Sequence, residues 1–273
     1  MHFAVVARIL GVLLMLFSML ANLPSILVSF LYGDGEVSSF WTSAMITFAT
    51  GFILWLVTLC PSDVLRTRDG FLVVTLFWTV LSTFGALPFL FSLDVRLSVT
   101  DAIFESFSGL TTTGATVITG LDVLPKSILF YRAQLQWLGG MGIVALAVAV
   151  LPMLGIGGMQ LYRAESPGPV KNDNLVPRLA ETAKALWYIY LGLTVSCALA
   201  YWAAGMNLFD AICHSFTTVA IGGFSNYDAS IGYFDSNIVN LIAVAFMFLA
   251  GINFALHFTA WQRRSLIQYV RDP

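Results

Sequence analysis

The stretch DAIFESFSGLTTTGAT, residues 101–116, decides the fold because it recurs as DAICHSFTTVAIGGFS at residues 210–225. The shift that places Asp101 on Asp210, here called the repeat offset, makes six of the sixteen positions identical without a gap. The same offset pairs Gly142 with Gly251 in the helix that follows each copy. An aligned aspartate and aligned glycines are not expected from composition alone, so the sequence predicts an internal repeat.

Each copy predicts a short helix followed by a polar turn that contains a glycine. Ten helical residues, 101–110, reach about 15 Å, which is half of the hydrocarbon core of a bilayer. Asp101 and Asp210 are predicted to cap the two helices at their amino ends. We therefore expect two re-entrant segments whose polar turns share an aqueous axis, because lipid does not tolerate unpaired backbone groups. The weaker alternative is a packing turn within a helical bundle.

The rest of the chain is strongly apolar. Of its 273 residues, 58% are hydrophobic and 10% are charged, against about 25% charged in an ordinary soluble domain. This composition excludes a water-soluble globule and predicts an all-α integral membrane protein. Six stretches are long enough to cross a bilayer, at residues 9–31, 40–59, 71–92, 135–154, 186–204 and 238–261. The predicted fold is six transmembrane helices with two re-entrant pore-helix and filter loops in span–loop–span repeats.

The distribution of charge predicts an orientation. With a cytoplasmic amino terminus, ten lysines and arginines lie inside and three, Arg96, Lys126 and Arg132, lie outside, which satisfies the positive-inside rule. Nine acidic residues on the outer side, Glu105 among them, would attract cations to that face. Simple avoidance of Lys and Arg in outer loops would give the same bias. The net charge of -2 provides no basic surface for nucleic acid.

The polar turns predict a cation site made of backbone. Thr111, Thr112, Thr113 and Gly114 could turn carbonyl and hydroxyl oxygens towards an alkali cation and replace its hydration shell. The carboxyl end of a short helix carries partial negative charge, which favours a cation at the same place. Gly114 and Gly223 are expected where the backbone needs positive φ.

An enzymatic alternative rests on histidine and serine. His214 with Ser225, or His257 with a serine, suggests a remote possibility of an intramembrane serine hydrolase, but the chain has no G-x-S-x-G motif. The GIGG run at residues 155–158 follows a predicted membrane helix and lacks Gly-Lys-Ser/Thr, so it does not predict a nucleotide site. No cofactor is expected.

Four motifs are recognisable: GLTTTGAT at 109–116, QWLGGMGI at 136–143, GGMQLYRAE at 157–165 and AIGGFS at 220–225. Over its whole length the chain resembles the TrkH-type membrane subunits of bacterial Trk potassium uptake systems, within the Trk/Ktr/HKT superfamily. The resemblance implies four potassium-channel-like repeats around one pore, with an extra amino-terminal helix pair. It implies that this chain comprises the helix pair (1–70), repeat one (71–160), a cytoplasmic linker (161–183), repeat two (184–262) and a cytoplasmic end (263–273).

The resemblance also implies site residues and partners. Carbonyls of Thr112, Thr113, Ile221 and Gly222 are expected to bind K⁺, the transported ion. The remaining filter backbone is expected at Thr111, Gly114, Ala115, Thr116, Gly223, Phe224 and Ser225. Expected partners are membrane lipid, a cytosolic nucleotide-binding regulatory ring and a second copy of the chain as a homodimer. The expected location is the cell inner membrane, which the chain crosses several times.

The length of the chain, compared with the four repeats of the family, leaves two interpretations open. Repeats three and four of the family are missing, so we expect a truncated chain that supplies two of four filter walls, or two copies that supply four. The functional hypotheses are a potassium-conducting subunit and a non-conducting fragment or assembly half. Neither filter is a full TVGYG, so looser selectivity among alkali cations is possible.

Overall fold

A computed structural model of the chain describes residues 3–58, 67–142 and 175–252 together with His257, and this part of the chain is helical. The all-α prediction is confirmed for these residues. A π-helical turn, Ser18–Asn22, joins the first two helices, and short 3-10 turns lie at Leu121–Val123 and Ser230–Phe234. The α-helices are α1 Phe3–Phe17, α2 Leu23–Tyr32, α3 Val37–Val57, α4 Thr67–Gly85, α5 Leu87–Phe91, α6 Val99–Leu110, α7 Lys126–Gly140, α8 Leu175–Ala203, α9 Leu208–Val219 and α10 Asn237–Gly251.

Four helical stretches within the described residues are long and apolar enough to cross a membrane. They are Phe3–Tyr32, Val37–Val57, Asp69–Phe91 and Lys184–Ala203. They correspond to four of the six predicted spans. The other two predictions, 135–154 and 238–261, run into residues outside the described part, and their described portions belong to the 15-residue helices α7 and α10.

The short helices α6 and α9 reproduce the predicted repeat. Both have 12 residues, and the repeat offset places both ends of α6 on the ends of α9. The left-handed residue before each helix follows the same offset, at Arg96 (φ 45°) and Gly205 (φ 103°). The repeat that the amino-acid sequence predicts is therefore also a repeat of backbone conformation.

The predicted caps were wrong by three residues. The N-cap residues are Ser98 and Asn207, whose side-chain oxygens accept from the backbone N–H of Asp101 and Asp210. Each aspartate carboxylate in turn accepts from its cap side chain, at 2.8 Å from Ser98 Oγ and 2.6 Å from Asn207 Nδ2. The cap side chain satisfies one free backbone donor, and the aspartate carboxylate holds that side chain in place, so each helix begins before its aspartate.

The repeat offset does not extend through the following helices. Helix α10 begins and ends two residues later than the offset would place α7, because the connection between α9 and α10 is two residues longer than that between α6 and α7. These bounds pair Gly251 with Gly140, whereas the sequence alignment had paired it with Gly142. A longer surface connection costs little free energy, which explains why the repeat tolerates it.

Helix α7 lies between the two halves of the repeat. It packs against both α6 and α9. A methyl group added to Gly139 would collide with the backbone carbonyl oxygen of Leu110, at the end of α6. One added to Gly140 would lie 3.2 Å from the Cβ of Ala220, just after α9. Two adjacent glycines therefore let α7 approach the carboxyl ends of both short helices, as small residues do at close helix contacts.

Candidate functional site

The residues that follow the two short helices form segment A (residues 111–116) and segment B (residues 220–225). Their backbones match at the repeat offset. Thr112 and Ile221 have φ of 55° and 53°, and Gly114 and Gly223 have φ of 76° and 84°. Glycine adopts this left-handed conformation readily, whereas a β-branched residue there is a genuine outlier. Both segments thus carry the same backbone strain at the same place.

The same hydrogen bonds fold both segments back onto their helices. Thr113 N donates to Ser108 O at 2.9 Å, and the equivalent Gly222 N donates to Thr217 O at 2.8 Å. Of the residues predicted to bind K⁺, Thr113 and Ile221 are exposed, Thr112 is half-buried and Gly222 is buried.

Segments A and B approach each other closely at Gly114 and Gly222. A Cβ on Gly114 would collide with the carbonyl oxygen of Gly222. The same carbonyl already accepts a hydrogen bond of 2.8 Å from Gln136 Nε2. The Gly222 carbonyl therefore lies between the backbone of segment A and a side chain of α7, and one of its two lone pairs is already used.

A buried ion pair between α6 and α7 contacts the end of segment A, on the side that faces these two helices. Glu105 on α6 and Arg132 on α7 are 0% and 1% exposed, and Arg132 Nε is 2.8 Å from Glu105 Oε1. Thr116 Oγ1 donates to the same carboxylate at 2.9 Å and accepts from Arg132 Nη2 at 3.0 Å. The Val117 N–H donates to Glu105 Oε2 at 3.0 Å. The carboxylate thus fixes the end of segment A to both helices.

Arg132 also reaches segment B. Its Nη1 donates to Ser225 O at 3.1 Å, and its guanidinium carbon lies 4.3 Å from the centre of the Phe224 ring, a cation–π contact. Gln136, one turn further along the same face of α7, binds the backbone of segment B through its amide. One helix of the first repeat therefore holds segments of both repeats.

His214 takes the place of Glu105 behind segment B. Its Nε2 is 3.0 Å from Ser225 Oγ, and its Nδ1 is 2.9 Å from the carbonyl oxygen of Asp210. A carbonyl can only accept, so Nδ1 carries the hydrogen, and in the neutral ring Nε2 accepts from the serine hydroxyl. The pair His214–Ser225 occupies the position that Glu105–Thr116 occupies in the first copy. The histidine and serine are therefore a structural contact of the repeat, which removes the reason to read them as a hydrolase dyad.

Asp210 anchors the chain that leaves segment B. It is 0% exposed and accepts from Asn226 Nδ2 at 2.8 Å and from the Tyr227 hydroxyl at 2.6 Å. Burial, followed by the hydrogen bond to Asp210, raises the pKa of Tyr227, so this hydroxyl stays protonated and remains a donor.

Further out, a carboxylate joins the two repeats. Asp228, which follows segment B, accepts from Gly120 N at 2.9 Å and from Leu121 N at 3.2 Å in the connection after segment A. The repeats are therefore linked both behind segments A and B and at their exposed end.

The sequence predicts Arg132 and Glu105 as charges of the outer side and indicates no role for Gln136. The structure corrects this interpretation, because the two charges form a buried pair and add nothing to an acidic surface. The sequence did contain a signal for these roles. Arg132 and Gln136 are four residues apart and so share a face of α7, and ionisable residues within apolar surroundings are costly unless they are paired.

The apolar helices, and the short helix with its strained segment that occurs twice, define the class of α-helical membrane proteins with an internal repeat. The family model described as TrkH, cation transport protein, matches residues 37–269. The chain belongs to this family. It is therefore a membrane protein of a transporter family and not an enzyme.

Individual relatives agree with the family model. The chain is 60% identical over 273 residues to the Trk system potassium uptake protein TrkH of Halomonas elongata, with 100% of this chain and 56% of that protein covered. It is 44% identical over 271 residues to the Trk system potassium uptake protein TrkG of Escherichia coli, with 99% and 56% covered. The crystal structure of the potassium transporter TrkH from Vibrio parahaemolyticus matches with a TM-score of 0.86 at 53% identity, covering 100% of this chain and 55% of its own. The chain thus spans about half the length of these relatives.

Proposed function

We propose that the chain contributes to potassium uptake and that segments A and B are two walls of a selectivity filter. The observation that carries the proposal is the left-handed backbone of two β-branched residues, Thr112 and Ile221, at equivalent positions of the repeat. Such strain costs on the order of 1–3 kcal/mol per residue and is typical of functional sites. The names of the relatives, which describe potassium uptake, support K⁺ as the ion.

In this proposal backbone carbonyls are the ligands. Thr112, Thr113 and Ile221 supply carbonyl oxygens ahead of the glycines, and Gly222 supplies only the lone pair that Gln136 leaves free. Gly114, Gly223 and the flanking residues of both segments shape the backbone. The carboxyl ends of α6 and α9 direct partial negative charge to the same region. No cofactor takes part.

The membrane arrangement is also a proposal. A helix of 12 residues is about 18 Å long at 1.5 Å per residue, too short for a core of about 30 Å. We therefore propose that α6 and α9 re-enter from the outer side between six spans in the cell inner membrane. The proposal includes a cytoplasmic amino terminus, because that orientation leaves most lysines and arginines on the inner side.

The subdivision into a helix pair (1–70), repeat one (71–160), a linker (161–183), repeat two (184–262) and an end (263–273) belongs to the same proposal. Two filter walls do not enclose an ion. The other walls would come from further sequence, as in relatives of about twice this length, or from a second copy of the chain. The proposed partners are that second copy and a cytosolic nucleotide-binding ring.

Serine at either filter glycine tests the proposal. In cells without their own potassium uptake, the complete reading frame that encodes this chain should take up rubidium with little competition from sodium. Gly114→Ser and Gly223→Ser should each lower this preference by about tenfold, equivalent to ~1.4 kcal/mol, because a side chain strains positive φ.

Gly120→Ser is the matched control. Gly120 also has positive φ, 73°, and open space around its Cβ position, as Gly223 does, but it lies outside both segments. An unchanged ion preference in both filter variants, at normal protein levels in the membrane, would contradict the filter assignment.

A further inference from the structure

One side chain controls both peptide groups that flank Gly223. Gln136 Nε2 donates to Gly222 O at 2.8 Å, and Gln136 Oε1 accepts from Phe224 N at 3.0 Å. The first bond fixes the peptide plane before Gly223, and the second fixes the plane after it. Gln136 is 0% exposed, so water does not compete for either bond.

Gly223 needs such control more than most residues. It has φ of 84°, and nothing lies within 4 Å of the position a Cβ would occupy. A glycine without steric contacts can exchange between right- and left-handed conformations at little cost, and each exchange would turn the neighbouring carbonyls. The two hydrogen bonds of the Gln136 amide oppose that exchange, because they hold the peptide groups on both sides of Gly223.

The identity of the preceding residue follows from the same contact. A Cβ on Gly222 would collide with the amide carbon and oxygen of Gln136. Gly222 is not among the left-handed glycines of the described residues, so its backbone angles alone do not call for glycine. Gly222 is a glycine because Gln136 occupies the space.

We propose that Gln136 is a positioning residue that determines specificity: it holds segment B in the conformation that prefers potassium over sodium. The inference rests on the proposed potassium pathway. Gln136 acts through the backbone of segment B and from the other repeat, so the filter of repeat two depends on a helix of repeat one.

The chemistry of the amide makes the role specific. Glutamine has a donor and an acceptor at one end, which match Gly222 O and Phe224 N. Glutamate keeps the acceptor but faces the Gly222 carbonyl with a second oxygen, and methionine of similar length offers neither bond. Gln134 is the matched control, since it is also a buried amide of α7, but it contacts Leu20 O at 2.7 Å and Ser25 Oγ at 3.3 Å, away from segment B.

The first test measures the competition of sodium with rubidium uptake by the complete reading frame. Gln136→Met and Gln136→Glu should each lower the potassium preference by about tenfold, as expected for the loss of one or two buried hydrogen bonds, whereas Gln134→Met should leave it near that of the parent. If Gln136→Met is not recovered in the membrane, the isosteric variant Gln136→Glu is compared with Gln134→Met instead. A retained preference in the recovered Gln136 variant would overturn the inference.

The second test needs no transport. Gly222→Ala should lower the unfolding temperature of the purified protein, and the same substitution in a Gln136→Ala background should lower it less, because the obstructing amide is gone. Equal losses in both backgrounds would overturn the pairing. Failure of the proposed function is distinguishable, because a parent without potassium preference would overturn both proposals, whereas preference retained in the Gln136 variants overturns this one alone.

Discussion

Segments A and B have nearly the same backbone but different chemistry behind it. Behind A, a buried carboxylate, Glu105, binds Thr116 and is neutralised by Arg132. Behind B, His214 binds Ser225 without a charge. The paired φ angles are nonetheless close, 55° against 53° at the first strained position and 76° against 84° at the glycine. The two conformations thus agree although the residue at the equivalent position of the short helix is a carboxylate, Glu105, in one copy and an imidazole, His214, in the other.

The comparison also shows a dependence in one direction. Arg132 and Gln136 belong to the helix after segment A, yet both bind segment B. The side chains that bind segment A therefore come from its own repeat, whereas those that bind segment B come from both repeats. Substitutions on α7 should affect both segments, and substitutions on α9 should affect segment B alone.

The largest effect on stability is expected from removing one partner of the Glu105–Arg132 ion pair. Arg132→Met leaves the carboxylate of Glu105 buried and unpaired, which should destabilise the protein by about 3–5 kcal/mol. His214→Gln, a substitution of the residue that contacts Ser225 in segment B, removes neutral hydrogen bonds and should cost about 1 kcal/mol. Thermal unfolding in detergent measures both.

A double variant separates charge from packing. Glu105→Gln combined with Arg132→Met removes both charges and should be more stable than Arg132→Met alone, because no ion is left unpaired. If the double variant is the less stable one, the unpaired carboxylate is not the cause of the loss.

An intermediate effect is expected from the two adjacent glycines of α7. Gly139→Ala places a methyl group against the backbone of Leu110 and should cost about 1–3 kcal/mol by overpacking. Gly140→Ala should cost less, since it meets Tyr190 Oη at 2.7 Å, the end of a side chain, and Ala220 Cβ at 3.2 Å. Thermal unfolding again provides the measurement.

Gly192→Ala is the control for helix propensity. Gly192 lies in α8 with nothing within 4 Å of its Cβ position, so alanine there should stabilise the protein by up to about 1 kcal/mol. A similar gain for Gly139→Ala would show that α6 and α7 are not in close contact.

The sequence allowed the repeat to be predicted because Asp101 and Gly114 recur with Asp210 and Gly223 at one offset, and local conformation follows local sequence. It did not allow the N-caps to be predicted, since serine, asparagine and aspartate are all common N-cap residues and the sequence does not show at which of them the helix begins. The burial of Arg132 was missed for another reason. Its partner Glu105 is distant in the chain, on the preceding helix α6, and proximity of that kind is created by packing. The two additional residues before α10 likewise leave no signal in a comparison at fixed offset.

The smallest effect is expected at the exposed end of the site, where Asp228 links the two repeats. Asp228→Ala removes the acceptor of Gly120 N and Leu121 N, so these amide hydrogens should exchange faster with solvent, as measured by mass spectrometry on a peptide that contains them. Stability and ion preference should change little, because exposed charged contacts contribute little in water. Asp122→Ala, which removes a neighbouring exposed acid, should leave the exchange unchanged. Protection retained in Asp228→Ala would mean that the links behind segments A and B, through Arg132 and Gln136, hold the repeats together without it.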